Sequence, residues 1–211
     1  MVEKSIIYFE KCGKANTKET LLASKKRADQ LGIRHIIIAT TRGSTALAAS
    51  EVFNDSKYNL VAVNLSYGVQ KAYGKNFHMT DEEKNRLIEK GVTVLTGLHA
   101  FGHNVATSFR KRYRGESVES VVQDTLYRFC VGMKVCVEVV LMAADAGSIP
   151  VDEEVIAIGG TGWGADTSIV VKSACAEFFH ELEVREIIAK PRTAREQYEG
   201  EVTPDNSTVK Q

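Results

Sequence analysis

Short β-branched runs alternate with longer stretches of helical periodicity along this chain, and few architectures accommodate that order. Repeated strand–helix–strand units lay down a largely parallel sheet with helices on its faces. The reading is an α/β protein, a three-layer αβα sandwich whose sheet is mostly parallel with an antiparallel hairpin at one edge. Strands are expected at Ser5–Phe9, Ile33–Thr40, Tyr58–Asn64 and Val92–Thr96, and helices at Thr17–Leu31, ended near Gly32, and at Ser44–Phe53. Thr80-Asp-Glu-Glu83 has the form of a capping box, with Thr80 as cap and Glu83 reaching back, and opens a helix that runs to Lys90-Gly91. Ser117–Ala146 reads as a long apolar helical region, broken near Gly132, ended at Gly147 and packed deep against the sheet. Glu154–Gly159 and Thr167–Lys172 lie too close in sequence for a parallel crossover and should pair antiparallel, with Glu183–Lys190 as a last strand. Residues 1–199 are expected to form one domain, and 200–211 a polar, mobile tail.

Composition removes several classes of partner. Of 211 residues 44% are apolar, enough for one core that buries about 70% of the unfolded surface. Twenty-seven basic residues offset twenty-seven acidic ones, so no net field favours a nucleic-acid backbone or an anionic membrane. Cys12, Cys130, Cys136 and Cys175 show neither CxxC spacing nor a metal-ligand pattern, which points to reduced thiols. No apolar run approaches the ~20 residues of a membrane span and no signal-peptide core follows Met1, so a cytoplasmic location is expected by elimination.

Open parallel sheets bind ligands beyond the carboxyl ends of their strands, which selects five loops: Lys11–Thr17, Thr40–Thr45, Asn64–Gly68, Gly97–Ala100 and Gly159–Thr167. The second carries the strongest signal. An apolar strand passes through Thr40-Thr41-Arg42-Gly43-Ser44-Thr45 into an amphipathic helix whose first N–H groups lack intrahelical partners, so backbone and hydroxyls together offer an anion site. Gly43 permits a tight turn around a ligand. The same residues would also serve as a plain helix cap, and both readings stand. The Walker pattern GxxxxGK[ST] is absent. Gly159-Gly-Thr-Gly-Trp-Gly-Ala-Asp-Thr167 allows backbone to approach a flat or charged group, with Asp166 and Thr167 as polar handles; a simple tight connection is the alternative.

From about Thr20 to Arg192 the chain resembles stand-alone proteins similar to the C-terminal α/β domain of pyruvate kinase. The residues that carry the resemblance are Ala39-Thr-Thr-Arg-Gly-Ser-Thr-Ala46, Lys134-Val-Cys-Val-Glu138, Ala144-Asp-Ala-Gly147, Val155–Thr167 and Arg185-Glu-Ile-Ile-Ala-Lys-Pro-Arg192. In pyruvate kinase this domain holds an allosteric phosphosugar, gripped by a loop of the Thr40–Thr45 kind, so the resemblance implies binding of a small phosphorylated ligand without pyruvate kinase activity. It further implies flavin mononucleotide in the same cleft, with no assigned catalytic role. The glycine hairpin departs from the effector domain of the enzyme and sets a sugar bisphosphate in doubt.

A flavin needs an anion site, polar partners for its ribityl chain and a surface against its ring. The expected placement puts phosphate at Thr40, Thr41, Arg42, Gly43, Ser44 and Thr45, and the ribityl chain near Asn16, Thr17 and Asn64. The ring is then expected against Gly160, Thr161 and Gly162 within the Gly160–Gly164 segment, near His99 and the handles Asp166 and Thr167. The alternative is a non-catalytic sensor for a phosphorylated metabolite such as a sugar phosphate. Trp163 serves either as a stacking ring or as a lid. His99 and His103 lie four apart but lack a third ligand, so no metal site is expected. Lys134 and Glu138, one helical turn apart in an apolar stretch, read as a buried ion pair before an acid–base couple. Cys12, between Lys11 and Lys14, has no evident base or resolving cysteine for redox work. The run Arg110–Arg114 reads as a solvated helix end or as a surface for an acidic partner. The apolar stretch Phe129–Met142 suggests a homo-oligomer.

Overall fold

A computed structural model describes residue 1 and residues 3–193. The expected tail at 200–211, and the boundary at 199, lie outside the described residues. The elements are β1 (Ile7–Phe9), α1 (Thr17–Leu31), β2 (His35–Ala39), α2 (Ser44–Val52), β3 (Asn59–Asn64), α3 (Tyr67–Tyr73), α4 (Asp81–Glu89), β4 (Thr93–Thr96), α5 (Val105–Tyr113), α6 (Val118–Leu126), α7 (Val131–Asp145), β5 (Glu154–Gly159), β6 (Thr167–Lys172) and β7 (Glu183–Pro191).

The seven strands form one sheet in the order β1-β7-β6-β5-β2-β3-β4. β5, β2, β3 and β4 pair parallel, β6 runs antiparallel to both β5 and β7, and β1 closes that margin parallel to β7. Strand alternation then divides the core in two. Ile36, Ile38, Ala62, Ile156 and Ile158 face α1, α2 and α4, whereas Ile37, Val61, Val63, Val155 and Ala157 face α7. A sheet buried on both faces needs side chains that are apolar at consecutive positions, which is why β2 reads as an unbroken isoleucine run. Each of the buried isoleucines and valines among them contributes about 1.5–3 kcal/mol relative to exposure.

Local signals behave as their chemistry requires. α1 stops at Gly32, which adopts φ 70°. Thr80 accepts from Glu83 N at 3.2 Å while Glu83 accepts from Thr80 N at 2.9 Å, completing the capping box of α4. The Ser117–Ala146 region is two helices with a break near Gly132, as expected, although that glycine is not itself the break. The chain turns at Tyr127–Cys130, and Gly132 sits in the first turn of α7. A Cβ there would lie 2.5 Å from Thr167 Cβ, so this glycine lets α7 press onto β6. α7 is buried along nearly its whole length, which covers within the chain the Met133–Met142 part of the stretch that had suggested an oligomer. The apolar surface left uncovered lies elsewhere, on α5, which has no buried residue, and α6, with Val105, Phe109, Tyr113, Val118 and Val121 all exposed. Neither α3 nor α5 was expected from periodicity, apart from the helix end at the basic run, which forms the last turn of α5. Among the described residues no helix is long and apolar enough to cross a membrane.

Candidate functional site

Because β1 to β5 all run in one direction, the loops that follow them share one sheet edge, and a cleft of about 280 Å³ opens there. Its first wall is the turn into α2. Thr40 Oγ1 accepts from Gly43 N at 3.0 Å, and Gly43 caps the helix at φ 90°, where a Cβ would meet Leu87 Cδ1 at 3.3 Å. Glycine has no side chain to cap with, and no side-chain cap bond forms, so the first turn presents N–H groups beside the Ser44 and Thr45 hydroxyls. Arg42 is held by Glu83, with Nη2 at 2.7 Å from Oε1, so the carboxylate that caps α4 also fixes the arginine of the Thr40–Thr45 loop. Burial alone would raise the Glu83 pKa, but the Thr80 N–H and Arg42 bring it below the usual carboxylate value.

The floor is α7. Val131, Val135, Val139 and Met142 form an apolar stripe, and Lys134 and Glu138 lie beside it, both buried. Lys134 Nζ donates to Glu138 Oε2 at 2.5 Å, as the one-turn spacing anticipated. Glu138 Oε1 also accepts from Phe101 N at 2.8 Å and Gly102 N at 3.0 Å, while His99 Nδ1 stands 3.5 Å from Oε2. Burial pushes the Glu138 pKa up, but hydrogen bonding toward His99 and the Lys134 charge outweigh it and hold the group at about 2. His103 φ is +53° in the loop before α5, so it shares no helical face with His99, yet the two rings meet at 5.4 Å. Burial, with the electrostatic influence of neighbouring His99 and Lys134, lowers the His103 pKa to about 4. Among the described residues no three His, Cys, Asp or Glu side chains cluster as a metal site.

The glycine hairpin forms the third wall through Gly160, Gly162 and Gly164. A Cβ at Gly160 would come within 2.6 Å of Gly164 O, so this hairpin closes only with glycine. Trp163 packs against Phe77 at 5.9 Å on the rim. A second cavity of about 370 Å³ adjoins the cleft and shares Arg42, Ser44 and Trp163 with it, adding Asn76 and Glu83.

Of the residues expected at the site, Thr40, Thr41, Arg42, Ser44, Thr45, Asn64, His99, Gly160 and Gly162 line the cleft. Gly43 shapes the turn beneath them. Asp166, Thr167, Thr161, Thr17 and Asn16 are not among the lining residues; Asp166 and Thr17 brace the hairpin, and Asn16 bonds within the loop before α1. Asp166 is fully buried and accepts from Gly13 N at 2.8 Å, Thr161 N at 3.1 Å and Thr167 Oγ1 at 2.7 Å. Thr17 Oγ1 accepts from Ala165 N, and Asn16 Nδ2 donates to Lys11 O at 2.7 Å. Asn64 also spends its carbonyl on Leu65 N at 2.7 Å. The α7 stripe and Phe77 were not anticipated. Their signal was present for α7, since positions 131, 135, 139 and 142 fall on one helical face, but on a helix buried all round no face stands out.

Two comparisons with known proteins give matches. The chain is similar in structure to a pyruvate kinase from Cryptosporidium parvum described in complex with ADP, at 14% identity and a TM-score of 0.36. The match covers 90% of this chain and 25% of that one, so the present chain spans about a quarter of its length. Residues 18–171, most of the sequence, match the family described as the pyruvate kinase alpha/beta domain. With the strand order and the loop at Thr40–Thr45 in place, the chain belongs to the pyruvate kinase alpha/beta domain family.

Proposed function

We propose that the cleft binds a phosphorylated small molecule and that this ligand is flavin mononucleotide. The observation that carries the reading is the pairing of two unlike walls: an uncapped helix start with hydroxyls, and opposite it the stripe of Val131, Val135, Val139 and Met142. A ligand matched to both carries an anion at one end and a flat apolar body at the other. In this reading Ser44, Thr45 and the first N–H groups of α2 hold the phosphate, and Arg42 screens it from the rim. The ring takes the space between the α7 stripe and Gly160–Gly164. The cleft and its neighbouring cavity together fall within the roughly 300–1,000 Å³ of ligand pockets. When bound, a flavin supplies hydride and single-electron chemistry. The protein's own contribution is to bind the phosphate, to exclude water with the valine stripe and to set the charge at the floor through Lys134 and Glu138.

A second reading, a sensor for a phosphorylated sugar, is favoured by one feature. The outer cavity sets Arg42, Asn76 and Glu83 beside Ser44, a polar lining suited to hydroxyls. The two readings separate in one experiment: absorbance and fluorescence spectra before and after incubation with flavin mononucleotide and desalting, for the parent and for Thr41→Ala/Ser44→Ala. Flavin retained by the parent and lost by the variant supports the first reading. No retained flavin, with thermal stabilisation by a sugar phosphate, supports the second. The family match says nothing about assembly, and a homodimer through the exposed face of α5 and α6 is proposed here on its own terms. That face presents Val105, Phe109, Tyr113, Val118 and Val121 to solvent, an apolar patch that a two-fold pairing would cover.

A further inference from the structure

We propose that the floor of the cleft reads the imide edge of the flavin ring, with Lys134 donating to a ring carbonyl and His99 Nε2 accepting from the ring N–H. The inference rests on the flavin reading above. It starts from an atom that protein contacts do not account for. His99 Nε2 is buried with no hydrogen-bond partner among the described residues, although a buried polar atom ordinarily finds one. The opposite ring nitrogen faces Glu138 at 3.5 Å. An ionised carboxylate on that side favours the proton on Nδ1 and leaves Nε2 as a lone-pair acceptor.

Lys134 supplies the complementary half. Its ammonium carries three donors, and the bond to Glu138 uses one of them. Glu138 fixes both groups at once, since the backbone N–H groups of Phe101 and Gly102 anchor its other oxygen. His103, the remaining titratable ring at the floor, is held neutral by burial and adds no second cation near neutral pH. The result is one donor on α7 and one acceptor on the loop after β4, both held beside Glu138 Oε2 and both lining the cleft. Among the parts of a flavin, the imide edge offers the matching order, a carbonyl next to an N–H. A sugar hydroxyl would satisfy either group but has no need of the apolar stripe beside them.

The test compares flavin mononucleotide with its analogue methylated at the imide nitrogen, by quenching of flavin fluorescence, in the parent and in His99→Ala. Methylation removes the donor and should weaken binding to the parent by about 30-fold, the scale of a hydrogen bond to a buried acceptor. In His99→Ala the two ligands should agree within about threefold. Lys134→Met/Glu138→Gln, which removes both charges together, should bind flavin mononucleotide about tenfold more weakly while its affinity for inorganic phosphate stays at the parent value. Retention of phosphate affinity and of the circular dichroism spectrum shows that the variants fold. Equal affinity of the parent for the two flavins, or the same methyl penalty in His99→Ala, overturns the proposal and leaves flavin binding standing. Failure of the parent to bind flavin mononucleotide at all, with phosphate still bound, refutes the flavin reading and this inference with it.

Discussion

Glu138 offers the most direct test of how the floor of the cleft is built. Only 3% of its surface is exposed, and its two oxygens receive Phe101 N, Gly102 N and Lys134 Nζ. Its pKa falls from 4.5 to about 2 because His99 and Lys134 outweigh the penalty of burial. A carboxyl whose folded pKa lies below its unfolded one stabilises the fold above the unfolded value, and that stability is lost as pH falls from about 4.5 through about 2. At 1.36 kcal/mol per unit the contribution at pH 7 is about 3 kcal/mol. Glu138→Gln should therefore lose about 3 kcal/mol at pH 7, in the range for breaking one side of a buried pair, since Lys134 is left charged and unpaired. Lys134→Met/Glu138→Gln should recover a large part of that loss, because it removes both charges. Urea unfolding followed by circular dichroism at pH 7 and at pH 3 measures both effects. The gap between parent and Glu138→Gln should shrink to about half by pH 3. A gap that stays constant between the two pH values, or a double variant no more stable than the single one, would refute the reasoning.

Four further outcomes are expected. Gly132→Ala places a methyl against Thr167 and Asp166, so a clash of about 3 kcal/mol should outweigh a helix-propensity gain of about 1 kcal/mol and lower Tm by roughly 4–8 °C. Gly68→Ala in α3, with nothing within 4 Å, should leave Tm unchanged or raise it slightly, which scanning calorimetry of the pair will show. Thr80→Ala removes the cap of α4 and should cost about 1 kcal/mol by urea titration at pH 7. Sedimentation equilibrium should find a dimer for the parent and a monomer for Phe109→Asp, whose side chain is 59% exposed on α5; a monomeric parent removes the α5–α6 pairing.

The parts of this protein that could be read from its sequence are those whose signal is local. Gly32 ends α1 and Thr80 with Glu83 opens α4 because the atoms that decide those boundaries lie within four residues of one another. The loop at Thr40–Thr45 is local in the same way, and Thr40, Thr41, Arg42, Ser44 and Thr45 line the cleft. Asp166, Thr17 and Asn16 were expected to face a ligand because they are polar and sit at the right edge. The bonds that hold them inward reach across the chain for two of the three, from Gly13 to Asp166 and from Ala165 to Thr17, at separations no periodicity encodes.

Gly132 shows the same limit from the other side. As a glycine in an apolar helix it reads as a break, and only the approach of β6 reveals that the absent side chain is what lets Thr167 and α7 meet. Lys134 and Glu138 stand between these cases. Their spacing declares an ion pair, but an ion pair inside an apolar helix has two explanations, a brace or a working group, and the sequence alone does not choose between them. The long-range contacts supply the missing term. Once Phe101 N, Gly102 N and His99 converge on Glu138 at the floor of a cleft, the pair does more than hold a helix in register: it fixes the orientation of the groups a ligand would meet. The stability cycle at Glu138 therefore tests the architecture of the site with no ligand present. The methyl-flavin comparison asks separately whether that architecture is used.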